Sequence, residues 1–423
     1  MCSPICIPDA FTTPGLSDHE LLLAAKNHYW KALKLHPDDD NFAHQLRTNL
    51  GTTLRKSGRI AEALAAYDDV LASDPSFTMA HFQRGFALLA LERLSGTVST
   101  TQLQRARTDY VFVAHAADAA PGVRESAEKM RKYLTKHLGN KAGSAAEQQD
   151  TLDEEARQHS AYRQFTLLHH VGLAEHGLYC HCNGARRDDL MVAGHRTPVT
   201  GDHIPRCELI LNRLKAEFGT ARLLYYEATH DHVWNPHDEE ITYADLFEGE
   251  QLSMRTELLR TSFRLCLGIL DKIAHGICEL YDVAEHHERL YFESFWRPAA
   301  RKGKASTRWD TLATKSKNPS LVALYSQATD LASAGEWALF KAWRNDLEHR
   351  FLILTRQPAP NDLLKAREGT FATRCVPVKE FTNRTLHLLQ FTRSAIFNFT
   401  YCVRAESRAD EDEPGFMMTL LHK

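Results

Sequence analysis

Two glycines set a period. Gly51 and Gly85 stand 34 residues apart, and each opens a similar pattern of small and aromatic residues. After Gly51 come Ala63, Tyr67, Leu71 and Pro75; after Gly85 comes an insertion, SGTVSTTQL, and then Ala106 and Tyr110. An earlier half-unit ends the same way, with Ala25, Tyr29, Ala32, Leu33 and Pro37. A period of this length describes two helices per unit. Small residues let the two helices approach, the aromatic fills the gap, and proline stops the second helix. A last amphipathic segment, Val123 to Leu138, is suited to cap the array.

The spacing resembles a tetratricopeptide (TPR) array of about three units over residues 18–138, best matched at 44–77. Arg47 stands where the motif usually has an early tryptophan. The resemblance implies a concave groove that binds a peptide or another protein. The alternative role is a helical spacer that braces the second domain or a dimer.

With 423 residues the chain exceeds one ordinary core, so two or three domains are expected. A content of 43% hydrophobic and 25% charged residues is that of a soluble globular protein. The net charge of −3 gives no overall pull toward nucleic acid, so such affinity must come from a local patch. No apolar run reaches the roughly 18 residues of a membrane span. The most apolar helical stretch, Leu258 to Tyr281, is interrupted by Arg264, Asp271, Lys272 and His275. The opening MCSPICIPDAF lacks the pattern of a signal peptide, and nine scattered cysteines fit reduced thiols. A cytoplasmic protein is the expectation.

Residues 139–160 are small, polar and charged, and read as a linker. The connecting region 161–250 has weak periodicity. Leu209 to Phe218 looks helical there, and Ala221 to Ala228 fits a helix or a short strand. Two clusters raise the question of a metal: Cys180, His181 and Cys182, and His230, His232 and His237. Neither has the paired spacing of a zinc site, and Cys207 is the only further thiol nearby. Packed or surface His and Cys is the preferred reading, so no metal or cofactor is expected.

From 251 to 404 the pattern is that of a helical bundle. Leu259, Phe263, Cys266, Leu270, Ile273, Ile277 and Leu280 alternate steps of four and three along one long helix. A loop is expected from Trp296 to Asn318, a short helix from Leu321 to Ala332, and a last helix from Lys379 to Arg404. Residues 405–423 form a tail, acidic over Glu406 to Pro414. The overall expectation is a mainly all-α chain.

Between the last two helices lies WALFKAWRNDLEHRFLILTR, Trp337 to Arg356, which reads as one amphipathic helix. Phe340, Trp343, Leu347, Phe351 and Leu354 form its apolar stripe. Relative to Trp343, Arg344, Glu348, Asn345 and His349 fall at roughly 100°, 140°, 200° and 240°, away from the core. Arg344 and His349 diverge by about 140°. One straight helix therefore cannot aim both at one point. The arginine must curl round, the helix must distort, or two copies must act across a dimer.

Arg344-Asn345, with four residues between Arg344 and His349, resembles the Arg-polar-x(3)-His signature of the HEPN superfamily (higher-eukaryote and prokaryote nucleotide-binding domains). The long helix ending LGILDKIA and the segment LYFESFW at Leu290 to Trp296 extend the resemblance over about residues 200 to 404. It is similar to a bacterial HEPN family found behind tetratricopeptide repeats. The resemblance implies a homodimeric, metal-independent ribonuclease. The RNA 2′-hydroxyl would serve as internal nucleophile and leave a 2′,3′-cyclic phosphate and a 5′-hydroxyl. It further implies a toxin, stress or antiviral setting, with a trigger or antitoxin as partner.

The residue types suit that chemistry. A guanidinium donates to two non-bridging oxygens of a phosphorane-like transition state, the role for Arg344. An imidazole, with an ordinary pKa of about 6.5, takes or gives a proton near neutral pH, the role for His349. Asn345, four residues before His349, can orient its ring or hold a phosphate oxygen. Asp346 and Glu348 are candidates to tune it. Asp271 and His275, an i,i+4 pair on the long helix, face either the cleft or a buried ion pair, and the ion pair is preferred. The plainer account of the motif is an Arg344–Glu348 surface pair with an exposed histidine.

Arg297, Arg301, Lys302, Lys304, Arg308, Lys315 and Lys317, framed by Trp296 and Trp309, are candidates to hold single-stranded RNA by phosphate contact and base stacking. A solvated loop is the alternative. Two rivals to the nuclease remain: a non-catalytic adaptor binding nucleotide, RNA or protein, and a metal-dependent hydrolase.

Overall fold

Tyr67 and Tyr110 are fully buried, each against the glycine that opens its unit. A Cβ on Gly51 would lie 2.6 Å from the Tyr67 ring, and one on Gly85 would lie 2.8 Å from the Tyr110 ring. In this computed structural model the described residues are 19–35, 40–96, 99–139, 154, 156–180, 184–185, 187–192, 206–230, 240–242, 250–283, 290–297, 307–356 and 373–409. Six helices follow one another at the N-terminal end, each packed on the next: α1 (His19–Leu35), α2 (Asp40–Lys56), α3 (Ile60–Ser73), α4 (Thr78–Ser95), α5 (Thr100–His115) and α6 (Pro121–Leu138). The Ser99 hydroxyl caps α5 by accepting the Gln102 N–H. Because Ser95 ends α4 and Thr100 opens α5, much of the expected insertion SGTVSTTQL is helical.

The second half holds α7 (Ala161–Leu168), α8 (Arg206–Thr229), α9 (Met254–Tyr281), α10 (Arg308–Lys315), α11 (Pro319–Leu331), α12 (Ala338–His349) and α13 (Val378–Ala409). Two short strands, β1 (Phe351–Thr355) and β2 (Thr373–Pro377), pair in parallel, with Phe351 opposite Thr373 and Leu354 opposite Val376. The molecule is mainly all-α, as its periodicities predict. The seam of α9 is buried from Leu259 to Ile277. It packs on α8 and on α13. A Cβ on Gly276 would meet the Phe399 ring at 2.6 Å, so α9 and α13 touch closely at that point.

Arg206–Thr229 is one continuous helix, so of the two readings of Ala221 to Ala228 the helix holds. The expected loop from Trp296 to Asn318 contains α10, which opens on a reciprocal cap between Thr307 and Asp310.

The helical array and the second half share one hydrophobic core. At their junction lies a buried polar cluster. Lys26 of α1 forms an ion pair with Asp330 of α11, and its ammonium also donates to the Ser326 carbonyl at 3.2 Å and to Thr329 Oγ1 at 3.1 Å. Arg59, just before α3, reaches the other Asp330 oxygen at 2.5 Å and also pairs with Glu62. Gln327 donates to Glu62 at 3.0 Å and accepts from Asn398 at 3.1 Å. A buried charge must be paired or it destabilises the fold, and here one carboxylate serves two cations. Burial lowers the Lys26 pKa, and Asp330 opposes that shift.

Glu92 on α4 provides a stability test. It is buried, one oxygen accepts the Ser99 N–H at 2.7 Å, and burial pushes its pKa up to about 7. An acid whose folded pKa exceeds its unfolded one destabilises the fold progressively as pH rises through that window. Glu92→Gln keeps the acceptor for Ser99 without the charge. It is expected to match wild type below about pH 4 and to exceed it by on the order of 3 kcal/mol at about pH 8, as measured by chemical denaturation.

Candidate active site

The motif helix starts from a fold-back held at Asp330. After α11 the chain turns so tightly that a Cβ on Gly335 would lie 2.2 Å from the Asp330 carbonyl oxygen. The Gly335 N–H donates to Ala332, and the Trp337 N–H donates to that same Asp330 carbonyl at 2.8 Å. Trp337 then stacks on Phe340 at 5.1 Å and meets Trp30 of α1 edge-on at 6.0 Å. Phe340 and Trp343 are buried and pack on Phe263 of α9. Beside the turn, burial and the neighbouring Asp330 raise the Glu336 pKa well above the usual carboxylate range.

The helix ends earlier than predicted. α12 stops at His349, Arg350 is extended (φ −144°, ψ −159°), and β1 begins at Phe351. Trp337 to Arg356 is therefore not one helix. Phe351, expected on the core stripe, is 61% exposed, whereas Leu352, Ile353 and Leu354 are buried in the strand. The run FLILT suits either state, since a short apolar segment reads alike as helix stripe or buried strand. Pairing with β2, remote in sequence, decides it. Arginines of α9 stabilise this ending: Arg264 donates to the Leu347 carbonyl at 3.1 Å, and Arg260 to the Leu352 carbonyl at 2.9 Å. The Leu347 carbonyl lies in the last turn of the helix, where intrahelical donors run out.

Arg344 is held from α9. Its Nη1 lies 2.8 Å from Asp271 Oδ2, and the other Asp271 oxygen accepts the Phe292 N–H at 2.9 Å. The guanidinium carbon is 5.8 Å from the centre of the Tyr291 ring. Thus Asp271 forms an ion pair between helices with Arg344, while its sequence neighbour His275 is exposed. The simple Arg344–Glu348 surface pair is replaced, because Glu348 lies 3.6 Å from Arg264. Asp346 is buried and pairs with Arg374 of β2 at 2.7 Å, which ties α12 to the strands. That contact engages it away from the tuning role considered for it. Asn345, His349 and Arg350 are exposed. α12 runs unbroken through Arg344 and His349, so a break in the helix does not bring the two together.

The basic segment is partly reassigned. Trp296 and Trp309 are buried, and Trp309 stacks on Tyr325 at 4.1 Å, so neither tryptophan is open to a nucleobase. Arg308 donates to the Phe295 carbonyl at 2.5 Å and lies 4.9 Å over that ring. Arg297, Lys315 and Lys317 are exposed. Arg301, Lys302 and Lys304 lie outside the described residues.

Cys180 and Cys207 are buried, and burial, with Glu279 and Glu208 adding to it, pushes the Cys207 thiol up to about 11. His230 stacks on Tyr226 at 4.2 Å. Among the described residues no three His, Cys, Asp or Glu side chains gather as metal ligands. His181, Cys182, His232 and His237 lie outside the described residues.

Sequence reasoning missed Arg260, Arg264, Arg374 and Tyr291 as neighbours of the motif. The i,i+4 spacing of Arg260 and Arg264 around Phe263 was the available signal for the first two. Gly335→Ala is expected to destabilise the protein by about 1–3 kcal/mol in chemical denaturation, because the new methyl group meets backbone that cannot move aside.

Among curated proteins and among solved structures, nothing matches the chain. No described helix is long and apolar enough to cross a membrane. Residues 198–406 match the family described as LA2681-like HEPN, a stretch that takes in α8, α9 and the whole motif helix. This part of the chain is an HEPN domain of the LA2681-like family.

Proposed function

We propose that the protein is a metal-independent endoribonuclease that works as a homodimer through Arg344 and His349. The observation that carries this is the complete Arg344-x4-His349 signature at the end of α12, inside an HEPN domain, with its guanidinium fixed by Asp271. HEPN domains are tied to RNA-related work, and the chemistry at this site fits RNA cleavage.

In the proposed reaction the ribose 2′-oxygen attacks the adjacent phosphorus. A P–O2′ bond forms and the P–O5′ bond breaks, leaving a 2′,3′-cyclic phosphate and a 5′-hydroxyl. One proton leaves the 2′-hydroxyl and one is delivered to the 5′-oxygen. His349 performs one transfer and its copy in the second subunit the other. Arg344 stabilises the charge on the non-bridging oxygens. The divergence of about 140° between the two side chains on one helix is the reason for two copies. Asn345, exposed beside them, is assigned to hold a phosphate oxygen or orient His349.

The helical array is assigned a controlling role, with a peptide or protein, such as an antitoxin or a trigger, as its ligand. The contacts of α1 with Asp330 and Trp337 support this, because they adjoin the start of the motif helix. A toxin, stress or antiviral effector is the corresponding setting. A non-catalytic adaptor is favoured by one observation, that Arg344 already has a partner in Asp271.

Purified protein incubated with end-labelled single-stranded RNA in EDTA decides between them. Cleavage to cyclic-phosphate ends is expected. Arg344→Ala and His349→Ala are each expected to lower the rate by about a hundredfold or more. Cleavage that both variants retain in full would remove the site assignment.

A further inference from the structure

The turn at 290–297 buries all of its aromatic rings except one. Leu290, Phe292, Phe295 and Trp296 are buried, while Tyr291 is 46% exposed. The turn is well fastened. The Phe292 N–H donates to Asp271, and the Tyr291 carbonyl accepts the Ser294 and Phe295 N–H groups at 3.1 and 2.8 Å. Asp271 therefore positions both Arg344 and the backbone that presents Tyr291. The ring centre lies 5.8 Å from the Arg344 guanidinium. A partly exposed aromatic held by a fixed turn loses little freedom when a flat ligand stacks on it.

We propose that Tyr291 is the stacking platform for an unpaired nucleobase adjoining the phosphate that Arg344 binds, an inference that rests on the ribonuclease reading. A single-stranded polynucleotide presents a phosphate and a planar base within one nucleotide, and this pair of side chains offers a cation over one side of a partly exposed aromatic ring, leaving the other side to the base. Trp296 and Trp309 are buried, so Tyr291 supplies the stacking that the basic segment was expected to draw from them. Because every base has a π face, the platform selects for single strands more than for base identity.

The test uses the full chain and single-stranded RNA. Tyr291→Leu keeps an apolar side chain without the π face, and Tyr291→Phe restores it. In the His349→Ala background, Tyr291→Leu is expected to weaken RNA binding roughly tenfold or more, and Tyr291→Phe to bind as the parent does. In the active protein the loss falls mainly on KM. An RNA of the same length with abasic ribose in place of successive nucleotides removes the base, and on it Tyr291→Leu and the parent are expected to bind alike. Equal binding of the two on normal RNA would overturn the proposal, as would an equal loss on abasic RNA. If His349-dependent cleavage is present but Tyr291→Leu is unchanged, this inference alone fails. If the wild type neither cleaves nor binds RNA, the ribonuclease assignment fails and carries this inference with it.

Discussion

Asp330 is the point on which the molecule turns. Its side chain is fully buried between Lys26 of α1 and Arg59 at the start of α3, and its backbone carbonyl receives Trp337 at the start of the motif helix. Two cations that would be intolerable alone in this core share this carboxylate, Arg59 pairing with Glu62 as well, and Ser326 and Thr329 take remaining donors of Lys26. The same residue thus joins the helical array to the bundle and sets where α12 begins. A shift of α1 against α11 must disturb this cluster, and the cluster adjoins the motif helix directly.

From that anchor, the rest of the site follows from how α12 is held at its other end. Arg264 and Arg260 of α9 cover carbonyls on either side of the helix terminus, and Asp346 fastens it to β2 through Arg374. The helix therefore closes at His349 and leaves the imidazole exposed. Arg344, one turn earlier, is held by Asp271. The two signature residues have opposite surroundings, one tied down and the other open. That asymmetry suits a preorganised phosphate clamp beside a proton carrier free to meet a second subunit.

Much of the fold was legible in the chain because its signals are local and periodic. The spacing from Gly51 to Tyr67 and from Gly85 to Tyr110 became close ring-on-glycine contacts, and the seam of α9 is buried where its steps of three and four place it. The candidate site was legible in part. Arg344 and His349 could be singled out, and Asp271 was among their possible neighbours. What could not be read is what depends on long-range pairing. FLILT becomes a strand only because Thr373–Pro377 lies beside it, and nothing within the segment distinguishes that from two more helical turns. Likewise Trp296 and Trp309 sit in a basic segment, which suggested stacking on bases, but the core of α11 takes both rings through Tyr325. Charge composition describes the solvent-facing side of such a segment and not which rings it buries.

The most direct measurement of the proposed reaction is subunit mixing. Wild-type chains are combined with an excess of His349→Ala chains under conditions that exchange subunits, and RNA cleavage is followed in EDTA. Each mixed dimer holds a single His349 and so lacks one of the two proton carriers, and activity is expected to fall far below that of the same wild-type chains alone. Undiminished activity, from a mixture in which mixed dimers have demonstrably formed, would contradict a cleft built from two facing copies of the motif.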